Sequence, residues 1–147
     1  MEEPLPIPKT QKLWSIGQIG VASFLSGPIG GCFLISQNFK VLGEKKAAKK
    51  TFWFGALATL LIFAICFSLP EELVVKFPKV IVPAMYTALL TSFARKRQKG
   101  AIDAHLQQGG KRASHFKLIG ISILFLLLLT TIVFGMISIA MGLGLIT

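Results

Sequence analysis

Acidic side chains are scarce in this chain: six Asp and Glu stand against 16 Lys and Arg, and only 15% of residues are charged. A water-soluble domain carries about a quarter. The shortage is concentrated, because residues 14–39, 51–69, 80–94 and 118–147 hold no charged side chain. A soluble fold would have to make helices without a polar outer face, which water does not tolerate. Histidine is confined to His105 and His115, and cysteine to Cys32 and Cys66. The two cysteines are expected at depths differing by roughly 13 Å at helical rise, too far for a disulfide, so they read as small apolar packing residues. These absences remove whole classes of chemistry. The chain offers no paired carboxylates, no nucleophile beside a base and no full metal shell.

What remains is apolar length: 53% of residues are hydrophobic and the mean hydropathy is +0.69. The fold class expected is all-α, a polytopic membrane protein with four transmembrane helices at about 16–38, 51–69, 78–95 and 116–141, plus short interfacial helices in the loops after the second and third spans. Residues 1–13, with Pro4, Pro6 and Pro8 alternating with Leu5 and Ile7, predict an extended Pro-rich arm. Residues 14–147 form one four-helix membrane domain, with no fixed-period repeat. The acidic start and the length of the first apolar run argue for a retained span rather than a cleaved signal.

The first span organises the rest. It carries five glycines and a proline where a lipid-facing helix would carry leucine. At helical spacing Gly20, Ser23, Gly27 and Gly31 form one stripe, and Gly27 and Gly31 make a G-x-x-x-G pair that admits close backbone contact. The expected helix-packing partner is the fourth span, through Gly120 and Gly135, or a second copy of the first. On that footing Gly31→Leu separates the helices and Gly31→Ala is nearly tolerated. Ser15 and Gln18 have capping-box spacing, which starts the span near Ile16. Pro28 predicts a kink in mid-span, and Gly109-Gly110 predict a helix stop in the third loop.

Charge orients the chain. Twelve of the basic residues lie in the first and third loops, with two acids, while the arm and second loop hold four basic residues and four acids. Positive loops face the cytoplasm, so both termini are expected outside. The third span is short and contains Pro83, but without it the two basic loops would fall on opposite sides. Lys45, Lys46, Lys49, Lys50, Arg95, Lys96, Arg97, Lys111 and Arg112 are candidates for contact with anionic lipid headgroups. The net charge of +10 is accounted for by those loops, and no nucleic acid partner is expected because a groove-reading soluble element is missing.

Other constellations are weak. Asp103, His105 and His115 make an incomplete metal set, better read as a solvated loop face. Gly109-Gly110-Lys111-Arg112 lack phosphate-loop spacing. No span holds a central ionisable residue of the kind proton- or sodium-coupled carriers use. The polar groups at depth, Ser23, Ser26, Tyr86, Thr87, Thr91, Thr130 and Thr131, are hydroxyls expected to bond back to a helix or across to a neighbour.

At Gly17-Gln18-Ile19, Gly27-Pro28-Ile29-Gly30-Gly31, Asn38-Phe39-Lys40 with Leu42-Gly43, and Gly109 to Ser114, the chain resembles small four-span bacterial membrane proteins without assigned function. The resemblance implies a four-span fold and attaches no activity, cofactor or site residue. The expectation is a non-enzymatic protein without cofactors in the bacterial inner membrane, packing with itself or with a membrane-protein partner. The alternative is a small passive channel or transporter component.

Overall fold

The computed structural model describes residues 7–76 and 78–144. Its elements in chain order are β1 (Lys12–Leu13), α1 (Ile16–Val41), α2 (Lys45–Ser68), α3 (Glu71–Lys76), α4 (Ile81–Gln107), β2 (Lys111–Arg112) and α5 (His115–Gly142). The fold is helical apart from two short paired strands. By length and composition α1, α2 and α5 are apolar enough to cross a membrane, which marks an integral membrane protein. α4 does not qualify, so the expected fourth span at 78–95 is not supported. Its longest uncharged stretch, residues 81–94, gives about 21 Å of helix. The helix then runs on through Arg95, Lys96, Arg97 and Lys99 to Gln107. No separate short helix forms in the third loop, because residues 101–107 belong to that continuation. In the second loop a short helix does form, as α3.

The backbone of α1 corrects the reading of residues 16–38 as a single crossing kinked at Pro28. Ser26 (φ −116°, ψ 17°) and Gly27 (φ 72°, ψ −175°) leave helical geometry. The Trp14 N–H donates to Asn38 Oδ1 at 2.8 Å, and Asn38 Nδ2 donates back to the Trp14 carbonyl at 2.8 Å. In a straight helix these ends would stand about 35 Å apart. α1 is therefore a hairpin of two antiparallel limbs, residues 16–25 and 28–41, with its tip at Ser26-Gly27. Pro28 does not kink a helix interior. It opens the second limb, where a missing N–H costs nothing and the fixed φ suits the first turn.

Local signals place the other ends. Ser15 and Gln18 form the reciprocal capping box, with Gln18 N–H donating to Ser15 Oγ and Ser15 N–H to Gln18 Oε1. Gly43 adopts φ 82° and lets the chain turn directly into α2, which starts at Lys45 rather than Thr51. At the end of α4, Gly109 adopts φ 84° and the Gly110 N–H donates to the His105 carbonyl at 2.8 Å, a left-handed glycine stop.

The hairpin is the hub. α2, α4 and α5 each pack on α1, and none packs comparably on another. The core lies along the limbs, where Ile19, Ala22, Leu34, Ile35 and Phe39 are fully buried, joined by Ala48 of α2, Leu90 and Ala94 of α4, and Leu118 of α5. Most aliphatic side chains of α2 and α5 point outward, the composition of a surface that meets lipid.

The arm is tied to the third loop. β1 pairs in parallel with β2, Lys12 opposite Lys111 and Leu13 opposite Arg112, and the Ala113 N–H donates to the Leu13 carbonyl. The arm and the third loop thus share one end of the bundle. Residues 1–6 of the expected Pro-rich arm lie outside the described residues; residues 7–13 lead through a turn at Lys9-Thr10 into β1.

Candidate functional site

Three parts of the hairpin carry polar or unfilled space: its base, its seam and its tip.

At the base, buried amides clasp five segments together. Asn38 Nδ2 donates also to Gln98 Oε1 at 3.1 Å, and Gln98 Nε2 donates to the Ile35 carbonyl at 2.9 Å. Gln18 Nε2 donates to the Ala113 carbonyl at 2.8 Å. His105 Nε2 donates to the Gln11 carbonyl at 3.0 Å. Asn38 and Gln98 are fully buried, Gln18 and His105 almost so. Asn38 answers both backbone groups of Trp14, Gln18 answers the Ala113 carbonyl, and Gln98 adds a bond to the Ile35 carbonyl within the second limb. Sequence reasoning missed this clasp. Its signal was available in the uncharged amides Gln18 and Asn38 at the two ends of an apolar run, and in Gln98 inside a basic cluster.

Along the seam, the four helix-packing residues are placed differently from the expected stripe. A Cβ on Gly31 would collide with Ser23, and one on Gly30 with Ser26. The limbs touch each other through these small residues, while Ser23 and Ser26 bond back to the Ile19 and Ala22 carbonyls. Gly20 faces α4, with Thr91 Cγ2 at 3.1 Å from where its Cβ would stand. Gly55 of α2 meets Cys32. Among the described residues a Cβ on Gly120 or Gly135 would meet nothing within 4 Å, so α5 reaches the stripe not through its glycines but through Leu129, whose Cδ1 lies 3.7 Å from where a Cβ on Gly27 would stand. Thr91, Thr130 and Thr131 bond back to their own helices.

At the tip, the Ile29 N–H donates to Thr59 Oγ1 of α2 at 3.2 Å. Ser26, Gly27 and Pro28 floor a cavity of about 390 Å³ walled by Thr59, Tyr86 and Lys79 among others. Gly27 combines φ 72° with ψ −175°, a region open in practice to glycine alone. Gly27→Ala is expected to destabilise the protein by roughly 1–3 kcal/mol through backbone strain. Gly17→Ala, in open helical space, is expected to be neutral or slightly stabilising. Thermal unfolding of both variants in one detergent checks the pair. Equal melting would mean that no turn occurs at Gly27.

The headgroup candidates divide by position. Lys45 and Lys49 join Lys40 around one cavity of about 590 Å³ at the base, between α1 and α2. Lys46 and Lys50, with Lys49, border a separate hollow beside Trp53 and Phe54. Arg95 and Lys96 border a third on α4. Arg97, Lys111 and Arg112 are exposed near the base. Asp103 is exposed, whereas His105 is buried in the clasp. Among the described residues no three His, Cys, Asp or Glu side chains gather as metal ligands.

Comparison with protein-family models, curated proteins and solved structures finds no match. The functional reading therefore rests on this geometry.

Proposed function

We propose that the chain is a non-enzymatic integral protein of the bacterial inner membrane, a packing or interaction component built on a re-entrant hairpin. In this reading α2, α4 and α5 cross the bilayer, while α1 enters and leaves on the same side. The arm and both basic loops face the cytoplasm, and the C-terminus lies outside. The observation that carries it is the closure of Trp14 onto Asn38 beside Lys111 and Arg112, which gathers the hairpin ends and the basic loops at one end. Depth agrees. Thr59 at the tip lies ten residues along α2 from Lys49 at the base, about 15 Å, half of a hydrocarbon core of about 30 Å. Irregular backbone at that depth is tolerated when protein encloses it, and here α2, α4 and α5 surround it. The short uncharged part of α4 suffices in this arrangement, since Pro78 and Lys79 extend it toward the far headgroups, where a lysine side chain can snorkel.

Reporter fusions test the arrangement. A green fluorescent protein at the N-terminus is expected to fluoresce, alkaline phosphatase after Thr147 to be active, and alkaline phosphatase within residues 107–110 to be inactive. An N-terminal fusion exported to the far side, or an active reporter at 107–110, would overturn it.

One observation favours a second reading, a small passive channel or transporter component. The hairpin ends its two half-helices on a cavity at mid-depth, the placement that pores and carriers use for ion and substrate contact. Ion flux by the purified protein in liposomes would favour this reading over the first, and tight liposomes would favour the first.

A further inference from the structure

We infer that the cavity between the second limb of α1 and the start of α2 is a discrete site for the headgroup of one anionic phospholipid. This rests on the proposed placement of the hairpin base at the headgroup level.

The cavity grades from charge to apolar surface. Lys45 and Lys49 stand one turn apart on one face of α2, and Lys40 faces them from the last turn of α1. Ser36, one turn deeper than Lys40, adds a hydroxyl to the wall. Above it Phe33 and Phe52 meet edge to face with centroids 6.4 Å apart, and Phe33 continues onto Phe125 of α5 at 5.2 Å. Among the described residues no acidic side chain lines the cavity. A phosphate diester with acyl chains matches that order from rim to depth, whereas a free anion would leave the aromatic wall without a partner.

The local electrostatics call for an anion. The first turn of α2 holds no acid, and Glu44 at its N-cap makes no side-chain capping bond. Lys45, in the first turn, opposes the helix dipole, and Lys49, one turn further on, adds its positive charge to the same face. Three lysines around one space also repel one another. A phosphate between them offsets both costs. Basic pockets between helices on the cytoplasmic side take lipid headgroups in this way.

The test is native mass spectrometry of the full chain in mild detergent, titrated with phosphatidylglycerol, phosphatidylcholine or inorganic phosphate. One phosphatidylglycerol is expected to bind in preference to phosphatidylcholine, and millimolar inorganic phosphate is expected not to displace it. The triple variant Lys40→Gln, Lys45→Gln, Lys49→Gln is expected to weaken that binding at least about tenfold. The triple variant Lys46→Gln, Lys50→Gln, Lys96→Gln removes the same charge outside the cavity and is expected to change it less than about twofold. Equal losses in both triples would reduce the effect to general charge and overturn the site. So would equal binding of phosphatidylcholine, or displacement by inorganic phosphate, which would assign the cavity to a free anion. Because detergent binding does not depend on sidedness, failure here leaves the topology standing, and a reversed topology leaves this binding intact.

Discussion

Asn38→Leu is expected to lower the melting temperature in detergent by about 10 °C. Asn38 is fully buried and closes the hairpin base by one amide meeting both backbone groups of Trp14. Removing it strands the Trp14 N–H, the Trp14 carbonyl and Gln98 Oε1. Each buried orphan costs about 1–3 kcal/mol, and partial relaxation brings the sum to about 4 kcal/mol. For a chain of this size that corresponds to about 2–4 °C per kcal/mol. Ordinary interhelical hydrogen bonds in membrane proteins average only about 0.6 kcal/mol, since unfolded helices in the bilayer find other partners. The Asn38 bonds differ because their partners are backbone groups just outside a helix, with no ladder to fall back on. Asn38→Asp keeps the acceptor and loses both donors, so it is expected to be nearly as damaging. Gln98→Leu removes one acceptor that Asn38→Leu would orphan. The double variant is therefore expected to cost less than the two singles combined. Melting of Asn38→Leu within about 2 °C of the parent would mean that Trp14 and Asn38 are not joined.

The second large effect lies in the seam. Gly31→Ala places a Cβ against Ser23, with Leu90 Cδ1 and Ser23 Cβ both 3.0 Å away. Gly30→Ala meets Ser26, with Ser26 Cβ at 2.9 Å and the Ala22 carbonyl at 3.2 Å. Overpacking of this kind costs about 1–3 kcal/mol, while the gain in helix propensity is about 1 kcal/mol. The net effect is destabilising, which reverses the expectation that alanine at position 31 is nearly tolerated. Gly31→Leu cannot be housed without parting the limbs and is expected to abolish the folded protein in detergent. The seam is reciprocal, so Ser23→Gly combined with Gly31→Ala is expected to recover most of the parental stability. Size-exclusion profiles and melting curves across these variants decide it. A Gly31→Ala protein more stable than the parent would remove the seam from the account.

Much of this was legible in the residues. Ser15 and Gln18 announce the start of α1 by local bonding alone, and the glycine pair at 109–110 announces the end of α4. The apolar runs at 51–69 and 116–141 announce α2 and α5, because composition over twenty residues is a strong signal. The hairpin was not legible in the same way. An uncharged run of 26 residues meets the length of a crossing whether it runs straight or doubles back, and the reversal rests on the dihedral angles of Ser26 and Gly27. The run Ser26-Gly27-Pro28 with Gly30-Gly31 was a turn signal by the ordinary rule for such pairs, but it was outweighed by overall hydropathy. On one helical wheel Ser23 and Gly31 share a face, whereas in the hairpin they meet from opposite limbs. The headgroup candidates were visible as charge, but which of them converge was not. Lys40 joins Lys45 and Lys49 only because the second limb ends beside the first turn of α2.

The clasp also imposes an order on how this protein is made. The hairpin leaves the ribosome before the segments that fasten it, Gln98 and Ala113. Gln18 must wait 95 residues for the carbonyl of Ala113, roughly 5 to 20 seconds of synthesis. Asn38 likewise waits for Gln98, 60 residues on. During that interval the insertion machinery holds an apolar segment whose base is only half closed, and α2 must already be in place to receive the Ile29 amide. A segment made before its partners is thus locked only when they arrive.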